Sequence, residues 1–313
     1  MRQARRWVAR DFGGPEVLEE IVVELPDPEP GKATVQVRAA GMNPADYKHF
    51  GPGQDRRLLP LTIGYEVGGV IAALGPETEI ASGGGSVGDE VVVFQVSDGY
   101  SSALNAPAAD VFAKPPTLTF PQAANLLLVG TTAAETLHVV GISAGETVLV
   151  HGAAGAVGTS VVQQAALLGA TVIGTAGEAD LDAVGGFGAT PVTYGPGLEQ
   201  RVRGATPGRV DAVIDTVGVD EAIDVSLALV ADRSRIVSTA AFGRAQRDGF
   251  QTVGAANPRS GPFRAAARQS ILDLAARGKL TVPIGDTFAL SEAPRALEAL
   301  RGRHPYGKLA LVP

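Results

Sequence analysis

The pattern of apolar and polar positions along the chain changes near residue 120. Before this point, short β-branched runs are separated by glycine and proline, which is typical of strands joined by turns. These runs occupy residues 21–25, 32–39, 68–73 and 89–94. From Pro121 to Val140 the apolar positions recur at helical spacing, and strand and helix patterns then alternate. The pattern predicts a mostly-β domain over residues 1–120 and an α/β domain over residues 121–258.

Further periodic segments follow the alternating region. Residues 262–277 have the pattern of an amphipathic helix, and shorter segments at residues 286–290, 293–300 and 308–312 predict additional elements. We expect the last strand to rejoin the first domain, so that residues 259–313 complete it. A length of 313 residues with 45% hydrophobic content is enough for two ordinary cores.

A glycine-rich turn between a strand and a helix is the strongest single signal, and a second strand follows about twenty residues later. Gly155 would let the backbone approach a diphosphate, and Gly158 would let the helix lie close to its strand. Free amides at the helix start favour an anion there. Ala153 replaces the first glycine of the strict fingerprint, and such turns also pack helices without a ligand. The surrounding strands favour a dinucleotide site.

Small residues follow each strand of this region, at the edge where an open parallel sheet binds its ligand. Two further strand patterns, at residues 210–215 and 235–238, end in this way. We therefore predict a cofactor site lined by backbone and short side chains: Ala154, Gly155, Ala156, Val157, Gly158, Thr175, Ala176, Thr216, Val217, Thr239, Ala240 and Ala241.

The net charge of −7 provides no basic field for nucleic acid or anionic lipid. Glu135 and His138 interrupt the best apolar stretch, and the arginine-rich first residues lack the apolar core of a secretory signal. These features predict a cytoplasmic protein whose partner is a small molecule, with neither a nucleic acid nor a membrane as partner.

The complete absence of cysteine excludes disulfides, thiolate catalysis and cysteine-based zinc sites. The four histidines, His49, His138, His151 and His304, have no paired metal-ligand spacing. We therefore predict no metal site. His151 is the most open case, because it ends the strand before the glycine turn and could either contact neighbouring loops or shape the turn.

Several dispersed motifs, in this order, resemble those of one known family. They are FGGPEVL at residues 12–18, PDP at 26–28, AGMNPAD at 40–46, GYEVGG at 64–69, VGDEV at 87–91, DTVG at 215–218 and GKL at 307–309. The chain resembles the zinc-independent medium-chain dehydrogenases/reductases of the NADPH:quinone oxidoreductase, zeta-crystallin-like type. The resemblance implies a Rossmann doubly wound parallel sheet domain and a mostly-β GroES-like catalytic domain.

The resemblance also implies hydride transfer from NADPH to a quinone or a related conjugated carbonyl. The zinc alcohol dehydrogenases are similar in layout, but Asn43 and Tyr65 stand where they have a zinc cysteine and a zinc histidine. Ala45 replaces the hydroxyl residue of their proton relay, and only Glu66 is retained. Without a Lewis acid, reduction of an activated acceptor needs less transition-state stabilisation than oxidation of an alcohol.

The family pattern suggests roles for several residues near the reaction. Asn43 would hydrogen-bond near the nicotinamide ribose or the substrate, and Thr132 would reach the cofactor, although either could be a cap or turn residue. Tyr47 matches an active-site aromatic that could bind the carbonyl oxygen or deliver a proton, and Tyr65 competes for that role. Either tyrosine could instead simply be packed. Asp46 and Glu66 are expected to brace the site.

The choice between the two nicotinamide dinucleotides is less direct. Ala176 stands where an NAD-binding acid would end the second strand, and Tyr194 matches a family tyrosine near the adenosine phosphate. However, residues 171–200 contain no lysine or arginine, and the acids Glu178, Asp180 and Asp182 would repel a 2′-phosphate. NADPH is therefore predicted from the resemblance, with a cation supplied by a later loop from Arg244, Arg247, Arg259 or Arg264.

Two alternatives remain open. The same residues would serve an enoyl or alkenal reductase acting on a C=C bond, and a non-catalytic NADPH-binding protein is also possible. The resemblance further implies a homodimer formed through the edge of the cofactor-domain sheet, by the segment after Arg235.

Overall fold

The computed structural model describes residues 2–52, 55–206, 208–254, 257–302 and 305–313. His304, which the sequence predicts not to bind a metal, lies outside these described residues. The chain divides into two compact units, the first formed by residues up to Leu128 and from Thr281 onward, and the second by Val129–Leu280. No helix in the described ranges is long and apolar enough to cross a membrane.

The strands are numbered in chain order. They are β1 (Arg2–Ala9), β2 (Leu18–Leu25), β3 (Lys32–Gly41), β4 (Leu61–Thr62), β5 (Glu66–Leu74), β6 (Glu90–Phe94), β7 (Ala103–Pro107), β8 (Val111–Ala113), β9 (Thr147–His151), β10 (Thr171–Ala176), β11 (Ala189–Thr193), β12 (Ala212–Asp215), β13 (Ile236–Ser238), β14 (Gln251–Thr252), β15 (Ile284–Ala289) and β16 (Lys308–Val312).

The α-helices are numbered in the same way. They are α1 (Pro44–His49), α2 (Phe120–Ala123), α3 (Leu127–Val140), α4 (Ala156–Leu167), α5 (Leu181–Gly186), α6 (Leu198–Gly204), α7 (Asp220–Leu229), α8 (Phe242–Asp248), α9 (Ser260–Ala276) and α10 (Ala293–Arg301).

The first unit is built mostly on antiparallel strands, and only β15 and β16 among its described strand pairs run parallel. Its larger sheet has the order β15-β16-β3-β5-β6-β8, with β7 also paired to β3, and a small sheet has the order β2-β1-β4. The last strand, β16, pairs antiparallel with β3, with Ala310 opposite Gly41. This pairing joins the C-terminal strand to the strand that leads into α1.

The second unit is a six-stranded parallel sheet in the order β11-β10-β9-β12-β13-β14. Alternate residues of its central strands enter different apolar cores, because successive side chains of a strand point to opposite faces. In β9, Val148 and Val150 belong to one core and Leu149 to the other. Both faces are therefore covered, which confirms the predicted doubly wound Rossmann fold. The strands of the first unit likewise confirm the predicted mostly-β GroES-like domain.

The units divide later in the chain than the expected boundaries at residues 120 and 258. Helix α2 packs on the first unit, where an added Cβ on Gly68 would lie 3.0 Å from the backbone oxygen of Phe120. Helix α9 packs on α3 in the second unit, since Arg264 forms an ion pair with Glu135 at 2.6 Å. Local periodicity marked the change of pattern, whereas packing assigns these two helices to their units.

Candidate active site

The glycine turn after β9 is close-packed. Gly152 has a φ of +74°, and an added Cβ there would lie 2.5 Å from Cγ2 of Val217. A Cβ on Gly158 would lie 2.1 Å from the carbonyl oxygen of Gly152 and 2.8 Å from Cα of Ala153. Only glycine fits at either position, because both contacts are far below the usual distance for a Cβ. The start of α4 is therefore held directly against the end of β9.

Gly155 has a different environment from its two neighbours. It precedes α4 as the N-cap residue with φ −70° and ψ 164°, a conformation open to any residue. A Cβ there would meet only the Gly152 carbonyl oxygen, at 3.2 Å. The chain itself constrains this position weakly, so the absence of a side chain leaves backbone amides accessible at the helix start.

A cavity of about 410 Å³ opens beside the turn. Five predicted cofactor residues line it: Ala154, Thr175, Ala176, Tyr194 and Val217. Sequence reasoning did not assign the other lining residues to the site: His151, Gly152, Gly177, Asp180, Leu198, Val219, Glu221 and Ala222. Most of these residues follow a strand end by one to six positions. Their position just after a strand is the sequence signal that could have identified them.

The remaining predicted cofactor residues of the second unit lie outside the cavity lining. Gly155, Ala156, Val157 and Gly158 form the turn and the first residues of α4, and Thr132 is buried in α3. Thr216 closes the turn by donating a hydrogen bond from Oγ1 to the His151 carbonyl oxygen at 2.8 Å. Thr239, Ala240 and Ala241 follow β13.

Asp215 ties together two strand ends beside the cavity. Its buried carboxylate accepts hydrogen bonds from the amides of Val217 and Gly218 at 3.0 and 3.1 Å, and from Oγ of Ser238. Ser238 Oγ in turn accepts from the amide of Ala241 at 2.8 Å. The acid of the DTVG motif thus fixes the backbone around the site.

His151 lines the cavity, and one nitrogen of its buried ring has no hydrogen-bond partner among the described residues. The ring is 1% exposed, its Nδ1 lies 3.5 Å from Oγ1 of Thr175, and its Nε2 has no hydrogen-bond partner within the described residues. Burial lowers the pKa of His151 to about 4, so the imidazole is neutral near pH 7. A buried unpaired nitrogen is costly unless a ligand or water satisfies it. The cavity and its tight glycine turn fit a dinucleotide.

A second polar cluster lies inside the first unit. Asn43 donates from Nδ2 to Oε1 of Glu66 at 3.0 Å and accepts from Nζ of Lys308 at 2.5 Å. Glu66 Oε2 accepts from the amide of Leu128 at 3.0 Å. All three side chains are buried. Burial raises the pKa of Glu66 and lowers that of Lys308, while their mutual attraction opposes both shifts.

Asp46 extends this cluster. Its Oδ2 accepts from the Asn43 amide at 2.7 Å and from the Tyr100 hydroxyl at 2.9 Å, whereas its Oδ1 has no partner among the described residues. Burial raises the pKa of Asp46 to about 7. The expected bracing by Asp46 and Glu66 corresponds to these bonds, which fix Asn43 before α1.

The two candidate tyrosines occupy different surroundings. The Tyr47 ring lies 5.8 Å from the guanidinium carbon of Arg301, beside a cleft of about 510 Å³. Tyr65 is half-buried, and its pKa is raised first by burial and then by the negative charge of Asp46. Tyr65 is therefore the candidate that is electrostatically coupled to the polar cluster. Its hydroxyl stays protonated near pH 7.

Within the described residues, no group of three or more histidine, cysteine or carboxylate side chains forms a metal site. Asn43 and Tyr65 are the residues that the resemblance places at the zinc-ligand positions of alcohol dehydrogenases, and the Asn43 amide oxygen is bound by the Lys308 ammonium group. An amide, a phenol and an adjacent lysine do not fit the nitrogen and sulfur ligands that zinc prefers.

Two family models match the chain. The alcohol dehydrogenase GroES-like domain matches residues 29–114, and the model described as zinc-binding dehydrogenase matches residues 187–311. Among curated proteins, the chain is 33% identical over 128 residues to quinone oxidoreductase from Sus scrofa, and 38% identical over 109 residues to synaptic vesicle membrane protein VAT-1 homolog from Mus musculus. These alignments span 40% and 34% of this chain, but only 38% and 26% of the relatives.

Solved structures align over nearly the full length. A mycobacterial quinone oxidoreductase is 30% identical, with a TM-score of 0.79 over 99% of this chain and 100% of that one. An NAD-dependent alcohol dehydrogenase is 28% identical, with a TM-score of 0.86 over 99% of both chains. A mycobacterial protein solved in complex with NADPH is 28% identical, with a TM-score of 0.81 over 99% and 100%. The chain belongs to the quinone oxidoreductase branch of the medium-chain dehydrogenase/reductase family.

Proposed function

We propose that the protein is a reductase that uses a nicotinamide dinucleotide to reduce a quinone or a related conjugated carbonyl, without a zinc ion. The observation that carries this proposal is the cavity beside the close-packed glycine turn, in a chain of the quinone oxidoreductase branch. The NADPH complex of a mycobacterial neighbour supports a nicotinamide dinucleotide as the donor. The choice between NADPH and NADH depends on the charges around the adenosine end of the cavity.

The second unit would hold the dinucleotide. Amides at the start of α4 would face the diphosphate, with Gly155 leaving them accessible, and Ala176 and Tyr194 would line the adenosine end. When bound, the reduced nicotinamide supplies a hydride. The balance is that the quinone gains this hydride and one proton, which comes from the medium, to become a hydroquinone, while the cofactor leaves in its oxidised form.

The first unit would supply the polar groups that act on the acceptor. The Tyr65 hydroxyl is a hydrogen-bond donor near pH 7 and would bind the carbonyl oxygen that gains negative charge. Asp46 lies close enough to raise the pKa of this hydroxyl. Asn43, held by Glu66 and Lys308, would present a fixed amide group. The sequence-based candidate for the proton donor, Tyr47, stays a prediction beside Tyr65.

Steady-state kinetics test the proposal directly. The purified protein should oxidise reduced dinucleotide with a small quinone, and prior dialysis against a chelator should leave the rate unchanged. Turnover of α,β-unsaturated ketones but not of quinones would contradict the quinone assignment in favour of a C=C reductase. Saturable nucleotide binding without oxidation across a broad acceptor panel would instead support a non-catalytic binding protein.

We also propose a homodimer that joins two copies at the edge of the parallel sheet. Strand β14 is the edge strand there and is only two residues long, so a second copy would pair with a short backbone segment. Sedimentation of the purified protein distinguishes a mass near twice 31.9 kDa from that of the single chain.

A further inference from the structure

The carboxylate of Asp180, a residue that follows strand β10, lies near the end of that strand. Strand β10 ends at Ala176, where an acid that binds the ribose would stand in many NAD-binding proteins. The chain then turns at Gly177. An added Cβ on Gly177 would lie 3.8 Å from Oδ2 of Asp180 and 3.2 Å from Oη of Tyr194. A carboxylate and a phenol thus converge on the strand end, and both residues line the cavity.

The Asp180 carboxylate is available for a ligand. Asp180 is the N-cap residue of α5, but its side chain makes no capping hydrogen bond. In the part of the chain that the structure describes, this carboxylate has no hydrogen-bond or ion-pair partner. An acceptor-only group in this state matches the two hydroxyl donors of an unphosphorylated ribose.

Cations are absent from the described lining of the cavity. Three of the four arginines expected to meet a 2′-phosphate are engaged elsewhere. Arg244 forms ion pairs with Asp220, Asp224 and Asp248 at 2.6, 2.7 and 2.6 Å. Arg247 pairs with Asp248 and Arg264 with Glu135, while Arg259 precedes α9 and does not line the cavity.

Arg201 is the cation nearest to this strand end along the chain. Its guanidinium donates to the carbonyl oxygens of Thr193, Gly195 and Pro196 at 2.9, 2.8 and 2.8 Å, and Arg201 does not line the cavity. Its hydrogen-bonding capacity is therefore largely used to hold the loop after β11.

The other titratable groups of the lining add no positive charge. Glu221 lines the cavity and accepts from the Gly195 amide at 2.9 Å. His151 is neutral near pH 7 because burial lowers its pKa to about 4. A phosphate with nearly two negative charges would therefore face two carboxylates without a compensating cation.

We propose that Asp180 binds the adenosine ribose hydroxyls and that the cavity selects NADH over NADPH. This inference rests on the proposed function, because it assumes that the cavity holds a nicotinamide dinucleotide. It differs from the NADPH prediction made from the family resemblance. Strand β10 ends without an acid at Ala176, but Asp180 brings a carboxylate back to the end of this strand.

Fluorescence titration of the full chain with NADH and with NADPH, without an acceptor, tests the inference through dissociation constants. We expect the wild-type protein to bind NADH about tenfold more tightly than NADPH. Asp180→Asn should reduce this ratio of dissociation constants about tenfold, mainly by weakening the binding of NADH. Asp182→Asn is the matched control, because that exposed carboxylate lies two residues away and does not line the cavity. High salt should narrow the wild-type ratio, since it screens the repelled phosphate.

The outcomes separate this inference from the proposed function. Tighter binding of NADPH, or an unchanged ratio in Asp180→Asn, would overturn the role of Asp180 whatever the reaction. Loss of NADPH binding in Arg201→Gln with NADH binding kept would also overturn it, by assigning the phosphate to Arg201. A preference for NADH in binding that persists while no acceptor is reduced would support the inference and contradict the enzymatic proposal.

Discussion

Lys308 donates a hydrogen bond to Oδ1 of Asn43, a residue 265 positions earlier in the chain. The same ammonium group also donates to the carbonyl oxygen of Met42. Burial lowers the pKa of Lys308, and the neighbouring carboxylates of Glu66 and Asp46 oppose that shift. The C-terminal strand thereby places a positive charge beside two buried acids of the first unit.

Replacing Lys308 should destabilise the protein through the loss of its interaction with the buried Glu66. Lys308→Met should lower the free energy of unfolding by about 3 kcal/mol, because it leaves the buried Glu66 without its opposite charge. In the Lys308→Met, Glu66→Gln double variant the loss should be smaller than the sum of the single losses. Urea denaturation measures both, with the exposed Lys279→Met as a control. Additive losses would show that the two side chains do not interact.

Two glycines of the turn should separate stability from binding. Gly158→Ala should cost about 2 kcal/mol of unfolding free energy, since its methyl would meet the Gly152 carbonyl oxygen. Gly155→Val should leave stability nearly unchanged but weaken nucleotide binding, because its backbone conformation suits any residue while the side chain would block the diphosphate.

Thermal unfolding and nucleotide titration of the same samples provide the comparison for these glycine variants. Gly204→Ala, where an added Cβ meets nothing within 4 Å, should change neither measurement. Unchanged nucleotide binding by Gly155→Val would show that the diphosphate does not bind at the start of α4.

His151 should make stability fall as the pH is lowered. Its folded pKa of about 4 lies below the ordinary value of 6.5, so its contribution is present above pH 6.5 and is lost as the pH falls through 4. The difference in unfolding free energy between wild type and His151→Gln should therefore shift by about 3 kcal/mol over this window. Asp46, whose raised pKa acts in the opposite direction, is common to both proteins and cancels in the difference.

Urea denaturation at a series of pH values measures the His151 contribution. The half-buried His49→Gln variant provides the matched histidine control. A constant difference between wild type and His151→Gln from pH 6.5 to 4 would show that the ring titrates alike in the folded and unfolded states.

The two tyrosines can be ranked by turnover. We expect Tyr65→Phe to lower kcat about a hundredfold, since it removes a hydroxyl coupled to Asp46, while leaving the nucleotide dissociation constant unchanged. Tyr47→Phe, the change that the sequence favours, should lower kcat less, because that ring lies beside Arg301. The opposite order of kcat values would assign proton delivery to Tyr47.

The sequence by itself determined the parts of this protein that depend on local pattern. Alternation of strands and helices predicted the doubly wound sheet, and the strand-turn-helix order around Gly155 and Gly158 predicted the cavity beside them. The dispersed motifs predicted the family. Such features are readable because hydrophobic periodicity and glycine spacing act over a few residues.

Tertiary structure alone decided which distant side chains meet. Lys308 reaches Asn43 because β16 pairs with β3, and Asp180 reaches the end of β10 because the chain folds back after Gly177. Arg244, a candidate phosphate ligand in the sequence, is enclosed by three aspartates. These meetings depend on strand register and on the paths of loops, which no local pattern encodes. The positions of Asp180 and Arg244 decide the charge that the cavity offers to its ligand.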